Sequence, residues 1–139
     1  MNDIEQAISN YFKNKQDIIA VYLFGSYAAK RQRPASDIDI GLIVDFKELE
    51  TVRKKQERYI ADLSRMLRKD IHLVQLNGAG EVLLAQVFNK GKCLLVNNAA
   101  ALSLFKMRLF AMIAEFGDYK AGMQSGFVSK LMRQPGRRR

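Results

Sequence analysis

Hydrophobic positions recur along this chain with two different periods, and each switch of period marks an element. From Ile4 to Lys13, Ile4, Ile8, Tyr11 and Phe12 share one helical face, which predicts a short helix with Asn2 or Asp3 as N-cap. Ile18 to Phe24 is an unbroken apolar, β-branched and aromatic run, the pattern of a buried strand, and Gly25-Ser26 ends it. Ile38 to Val44 predicts a second apolar strand, entered through Ser36-Asp37. From about Glu48 to Arg68, Leu49, Val52, Ile60, Leu63 and Leu67 recur among charged residues, which predicts an amphipathic helix. Ile71 to Leu76 reads as a third strand, and Asn77-Gly78-Ala79-Gly80 breaks the chain after it. Glu81 to Asn89 reads as a short helix closed by Gly91. Cys93 to Val96 follows as a fourth short strand, with Cys93 as a small buried apolar residue. Ala99 to Phe116 is the last helix; its stripe of Leu102, Phe105, Leu109, Ile113 and Phe116 is assigned to the core, with a partner-binding groove as the lesser alternative.

Helices alternating with three to four strands predict an α/β (α+β) fold, a small mixed β-sheet packed with helices. The 139 residues have the length of one domain, and a hydrophobic content of 48% suffices for a core. The domain is expected to occupy residues 1–128, leaving 129–139 as a basic, poorly ordered tail. That tail carries five positive charges and no acid, so the net charge of +9 falls to +4 for the remainder. The excess is therefore partly a tail property, and nucleic acid is not expected as a partner. No apolar run approaches the roughly 20 residues that span a bilayer. The N-terminus, MNDIEQAISN, lacks the basic and apolar regions of a secretory signal, so a cytoplasmic location is expected. Cys93 is the only cysteine, which excludes an intramolecular disulfide and a cysteine metal cluster.

The chemistry concentrates around two strand ends. Alternation along the second strand places Asp37, Asp39, Gly41 and Ile43 on one face and Ile38, Ile40, Leu42 and Val44 on the other. The two carboxylates then point the same way, roughly 7 Å apart at the backbone. Such a pair repels itself unless a cation or water offsets the charge. Magnesium suits it, because it takes oxygen ligands and keeps substrate phosphates in its shell. The Gly25-Ser26 turn ends the preceding strand: glycine lets the backbone approach a phosphate, and the Ser26 hydroxyl adds a donor. Lys30, Arg31 and Arg33 lie between the two halves, divided between a solvated surface and phosphate contact.

Leu23-Phe24-Gly25-Ser26-Tyr27-Ala28, followed by Ser36-Asp37-Ile38-Asp39-Ile40, resembles the signature of the DNA polymerase β-like nucleotidyltransferase superfamily. More closely, the stretch from Ile18 to Val96 resembles the minimal nucleotidyltransferases (MNT) of prokaryotic HEPN/MNT toxin–antitoxin pairs. Its later half includes Asp70-Ile71-His72-Leu73-Val74-Gln75-Leu76 and the Lys90-Gly91-Lys92 turn. The resemblance implies that Gly25 and Ser26, with Ser36 and Lys30 beside them, hold the triphosphate of ATP, and that Asp37 and Asp39 ligate Mg²⁺. It implies transfer of AMP from ATP to a hydroxyl with release of pyrophosphate. In the antitoxin branch the acceptor is a tyrosine of the partner HEPN ribonuclease toxin, which implies a hetero-oligomer with that toxin.

Two positions depart from the pattern. The family's glycine shortly after the Gly-Ser turn falls on Lys30. The third carboxylate, on a neighbouring strand, falls on His72, with Asp70 as the alternative. An imidazole can act as general base but is a poor magnesium ligand. Two readings follow: an active adenylyltransferase using Asp37, Asp39 and His72, or a catalytically decayed antitoxin that neutralises its toxin by binding alone.

Overall fold

The structure, a computed structural model, describes residues 2–25 and 37–116. Ser26, Lys30, Arg31, Arg33 and Ser36 and the tail 129–139, for which the sequence raises expectations, lie outside the described residues, as do the side chains of Ile113 and Phe116.

Helix α1 (Asp3–Phe12) starts where Asn2 caps it: the Asn2 side chain accepts from the Glu5 N–H at 2.8 Å, and the Glu5 carboxylate accepts from the Asn2 N–H. Strands β1 (Ile18–Phe24) and β2 (Ile38–Val44) follow, then α2 (Leu49–Leu67), β3 (Ile71–Gln75), α3 (Glu81–Lys90), β4 (Lys92–Val96) and α4 (Ala99–Phe116). Single 3₁₀ turns, Phe46–Glu48 and Leu76–Gly78, precede α2 and follow β3. The strands form one mixed sheet in the order β3-β2-β1-β4. β1 is antiparallel to both β2 and β4, while β3 runs parallel to β2. A parallel neighbour needs a long crossover, and α2 supplies it.

Helices cover both faces of the sheet, which is why β1 is buried along its whole length. On one face Ile8 and Phe12 of α1 and Val52, Tyr59 and Leu63 of α2 pack on Val21, Leu23, Ile38, Ile40, Leu42, Ile71 and Leu73. On the other, Leu84, Val87 and Phe88 of α3 and Leu102 and Leu109 of α4 pack on Tyr22, Phe24, Ile43 and Leu76. A register shift between Ile18 and Ala20 sends Ile18 to the first face and both Ile19 and Ala20 to the second.

The expected strands and helices are present, with small corrections. The third strand stops at Gln75, because Leu76 enters the 3₁₀ turn while staying fully buried. Past that point the Asn77 side chain takes over the pairing: it accepts from the Val44 N–H and donates to the Val44 carbonyl, both at 2.8 Å. Cys93 is only partly buried, since it lies on the edge strand β4. Tyr59, absent from the expected stripe, is buried in the α1–α2 layer, edge-on to Phe12 at 5.4 Å.

Candidate active site

The end of β1 lies beside the start of β2, with Phe24 paired to Asp39. Gly25 is thus the first residue past the strand, next to the Asp39 carboxylate. Its φ of +75° lies in the left-handed region, and a Cβ there would land on the Asp39 carboxyl group. Only glycine meets both conditions. Asp37 sits just before β2 and Asp39 within it, on either side of the fully buried Ile38. The Ile38 N–H donates to the Asp70 carbonyl at 2.9 Å, which ties the start of β2 to the chain entering β3. That entry is turned by Arg68, in a left-handed conformation at the end of α2.

The parallel register then sets Asp39 directly across from His72. Ile71 and Leu73 face α1 and α2, so His72 faces the other side with Asp39. The imidazole reaches both carboxylates: Nε2 lies 3.2 Å from Asp37 Oδ2, and Nδ1 lies 3.2 Å from Asp39 Oδ1. A neutral ring has one N–H and can donate to only one of them; a doubly protonated ring donates to both. Burial pushes the Asp39 carboxyl above its ordinary value; the charge and hydrogen bond of His72 oppose that rise, and the Asp37 charge adds to it. The side chains grow more exposed outward, from 26% for Asp39 through 40% for Asp37 to 60% for His72, so the cluster opens to solvent through the histidine.

Asp37, Asp39, His72 and Gly25 are therefore brought together, and Asp70 is not part of the cluster. Asp70 precedes β3 and contributes a backbone carbonyl to β2, while its side chain is exposed. Two carboxylates on one strand face form an oxygen donor set that fits a hard divalent cation completing its shell with water and phosphate oxygens. Among the described residues no three His, Cys, Asp or Glu side chains already surround a common metal position. The sequence points Gly25 to phosphate alone and does not reveal its close approach to Asp39. The signal that could have found it is the Phe24–Asp39 register, which no local pattern encodes.

Known proteins agree with this architecture. A chain from a crystal structure of a toxin–antitoxin with AMP-PNP superposes with a TM-score of 0.62 at 24% identity, covering 95% of this chain and 100% of that one. A chain of the Shewanella oneidensis complex of a tri-AMPylated HEPN toxin with an MNT antitoxin gives 0.57 at 24% identity, covering 94% and 97%. One from the toxin–antitoxin MntA-HepT gives 0.58, again at 24% identity, covering 94% and 97%. At these identities the likeness establishes the fold. Comparison with curated proteins finds no match. No described helix is long and apolar enough to cross a membrane. The family described as "Polymerase beta, Nucleotidyltransferase" matches residues 6–100, and with that span of agreement the chain belongs to this nucleotidyltransferase family.

Proposed function

We propose that this protein transfers AMP from ATP to a hydroxyl of a partner protein, as the antitoxin of a HEPN/MNT pair. The observation that carries the reading is the same-face pair of Asp37 and Asp39 held against the Gly25 turn. The structural relatives support the partner and the nucleotide: one is a complex with AMP-PNP and another holds a tri-AMPylated HEPN toxin.

In the transfer, the acceptor hydroxyl oxygen forms a bond to the α-phosphorus of ATP. The bond from that phosphorus to its bridging oxygen breaks, and pyrophosphate leaves with the electron pair. The hydroxyl proton passes to a base or to water. Gly25, with Ser26, Ser36 and Lys30 as the resemblance implies, would cradle the triphosphate, and Asp37 and Asp39 would hold Mg²⁺. When bound, that ion neutralises phosphate charge along the reaction path. The work left for the protein is positioning and exclusion of competing acceptors. His72 lies beside the pair, where acceptance of the hydroxyl proton is within its chemistry.

Binding of Mg²⁺ and ATP to the native state should raise the thermal midpoint. The expected outcome is a shift in the wild type and none in Asp37→Asn with Asp39→Asn; equal shifts in both would remove the site. Incubation with α-labelled ATP and the co-purified HEPN partner should label the partner. A second reading, neutralisation by binding alone, is favoured by His72, whose ring already stands between the two carboxylates. It prevails if the partner is silenced with no label transferred.

A further inference from the structure

We infer that His72 is a metal ligand and that the Asp37–Asp39–His72 set selects Mn²⁺ over Mg²⁺. This rests on the reading of the aspartate pair as a cation site. The parallel register of β2 and β3 puts His72 directly across from Asp39. Each ring nitrogen lies 3.2 Å from an oxygen of a different carboxylate, so the ring stands on the open side of the pair. A cation taking up these two oxygens meets an imidazole already in contact with both. It must either expel the ring or accept it as a ligand.

The side chain has room for the second course. It is 60% exposed on a strand at the edge of the sheet, and among the described residues neither apolar cluster includes it. Rotation about its own torsions, among ordinary rotamers, turns one nitrogen from the carboxylates toward an ion held between them. This pivot is needed, because the three side chains do not yet surround a common point.

Nitrogen ligation discriminates between the cations. Mg²⁺ is small, gives up water reluctantly and takes oxygen ligands almost exclusively. Mn²⁺ carries the same charge and accepts the same octahedral oxygen and phosphate coordination; it is the weakest binder of its first-row series, yet it is softer than Mg²⁺ and tolerates a nitrogen ligand better. Replacing a carboxylate by a neutral imidazole also lowers the negative charge around the ion, which removes part of the electrostatic attraction that a hard cation depends on. The site therefore keeps a phosphate-compatible ion but shifts its preference toward a softer one.

The test uses the full-length protein with Mn²⁺ and AMP-PNP, read by pulsed electron paramagnetic resonance. The expected result is ¹⁴N modulation from a directly bound imidazole in the wild type, lost in His72→Asp. Mg²⁺ should displace Mn²⁺ at least about tenfold more readily from His72→Asp than from the wild type, the order of effect expected for a group that tunes a metal site. Bound Mn²⁺ without ¹⁴N modulation, or the same Mg²⁺/Mn²⁺ preference in both proteins, overturns the inference while leaving the cation site intact. If Asp37→Asn with Asp39→Asn binds Mn²⁺ and AMP-PNP as tightly as the wild type, the cation site itself falls. Circular dichroism of each variant establishes that the comparison is between folded proteins.

Discussion

At one end of the sheet Asn97 directs its amide at the carbonyls of Phe12, Lys15 and Ile18, 3.0 to 3.2 Å away, and Asn77 exchanges two hydrogen bonds with Val44. At the other end Asp37 and Asp39 share one face with a histidine between them. Both ends are polar, yet the chemistry is opposite. The amides are neutral and complementary, so each meets backbone groups of the opposite hydrogen-bonding kind where the strands end. The carboxylates carry like charges, one of them forced above its ordinary proton affinity by burial. A fold this small concentrates such electrostatic conflict at one rim and holds the opposite rim closed with satisfied hydrogen bonds.

The largest expected effect is at the charged end. Asp37→Asn with Asp39→Asn should abolish labelled AMP transfer, while the metal-free protein unfolds no earlier than the wild type, because the substitutions remove like-charge repulsion and the buried charge of Asp39 while the amide oxygens still accept from His72. Unfolding at a clearly lower temperature would mean that the pair stabilises the fold and that the contrast between the ends is misdrawn. Next comes Gly25→Ala, which places a methyl group on the Asp39 carboxyl at a left-handed φ. Strain of about 1–3 kcal/mol is expected, together with a weakened thermal response to ATP. A wild-type response would show that the turn relaxes without moving Asp39.

At the other end, Asn97→Ala should cost about 1–2 kcal/mol in denaturant unfolding, since one amide that joins the carbonyls of Phe12, Lys15 and Ile18 is lost. The ATP-induced shift should keep its size. A change in nucleotide affinity would couple the two ends and break the comparison. The smallest effect lies away from both, where the Tyr11 hydroxyl donates to Asp62 at 2.6 Å between α1 and α2. That bond is the first cause holding the Asp62 carboxyl below its ordinary value, with Arg65 adding to it. A lowered carboxyl contributes stability above the ordinary carboxylate range, and that stability is lost as pH falls through the lowered value. Tyr11→Phe should therefore lower the thermal midpoint by a few degrees at neutral pH and converge with the wild type in acid. A constant gap at every pH would assign the effect to packing.

Element by element, much of this was legible without coordinates. Ile18–Phe24, Ile38–Val44 and Ala99–Phe116 have the bounds that their apolar runs and stripe predict. The same-face placement of Asp37 and Asp39 follows from a period of two. Tyr59 was missed because the helical stripe was drawn through aliphatic residues, whereas the α1–α2 layer is filled by an aromatic cluster of Tyr11, Phe12 and Tyr59. The end of β3 was set one residue too far, because Leu76 is as buried in its 3₁₀ turn as it would be in a strand.

Local spacing along the chain determined the elements, the shared face of the two aspartates and the glycine turn, because periodicity and turn chemistry act over a few residues. The tertiary structure alone decided the strand order, the Phe24–Asp39 pairing that makes Gly25 obligatory, and the parallel register that sets His72 across from Asp39. Register depends on hydrogen bonds between strands whose paired residues lie 15 and 33 positions apart in sequence. It is chosen by the packing of whole layers, and no local pattern along the chain carries that information.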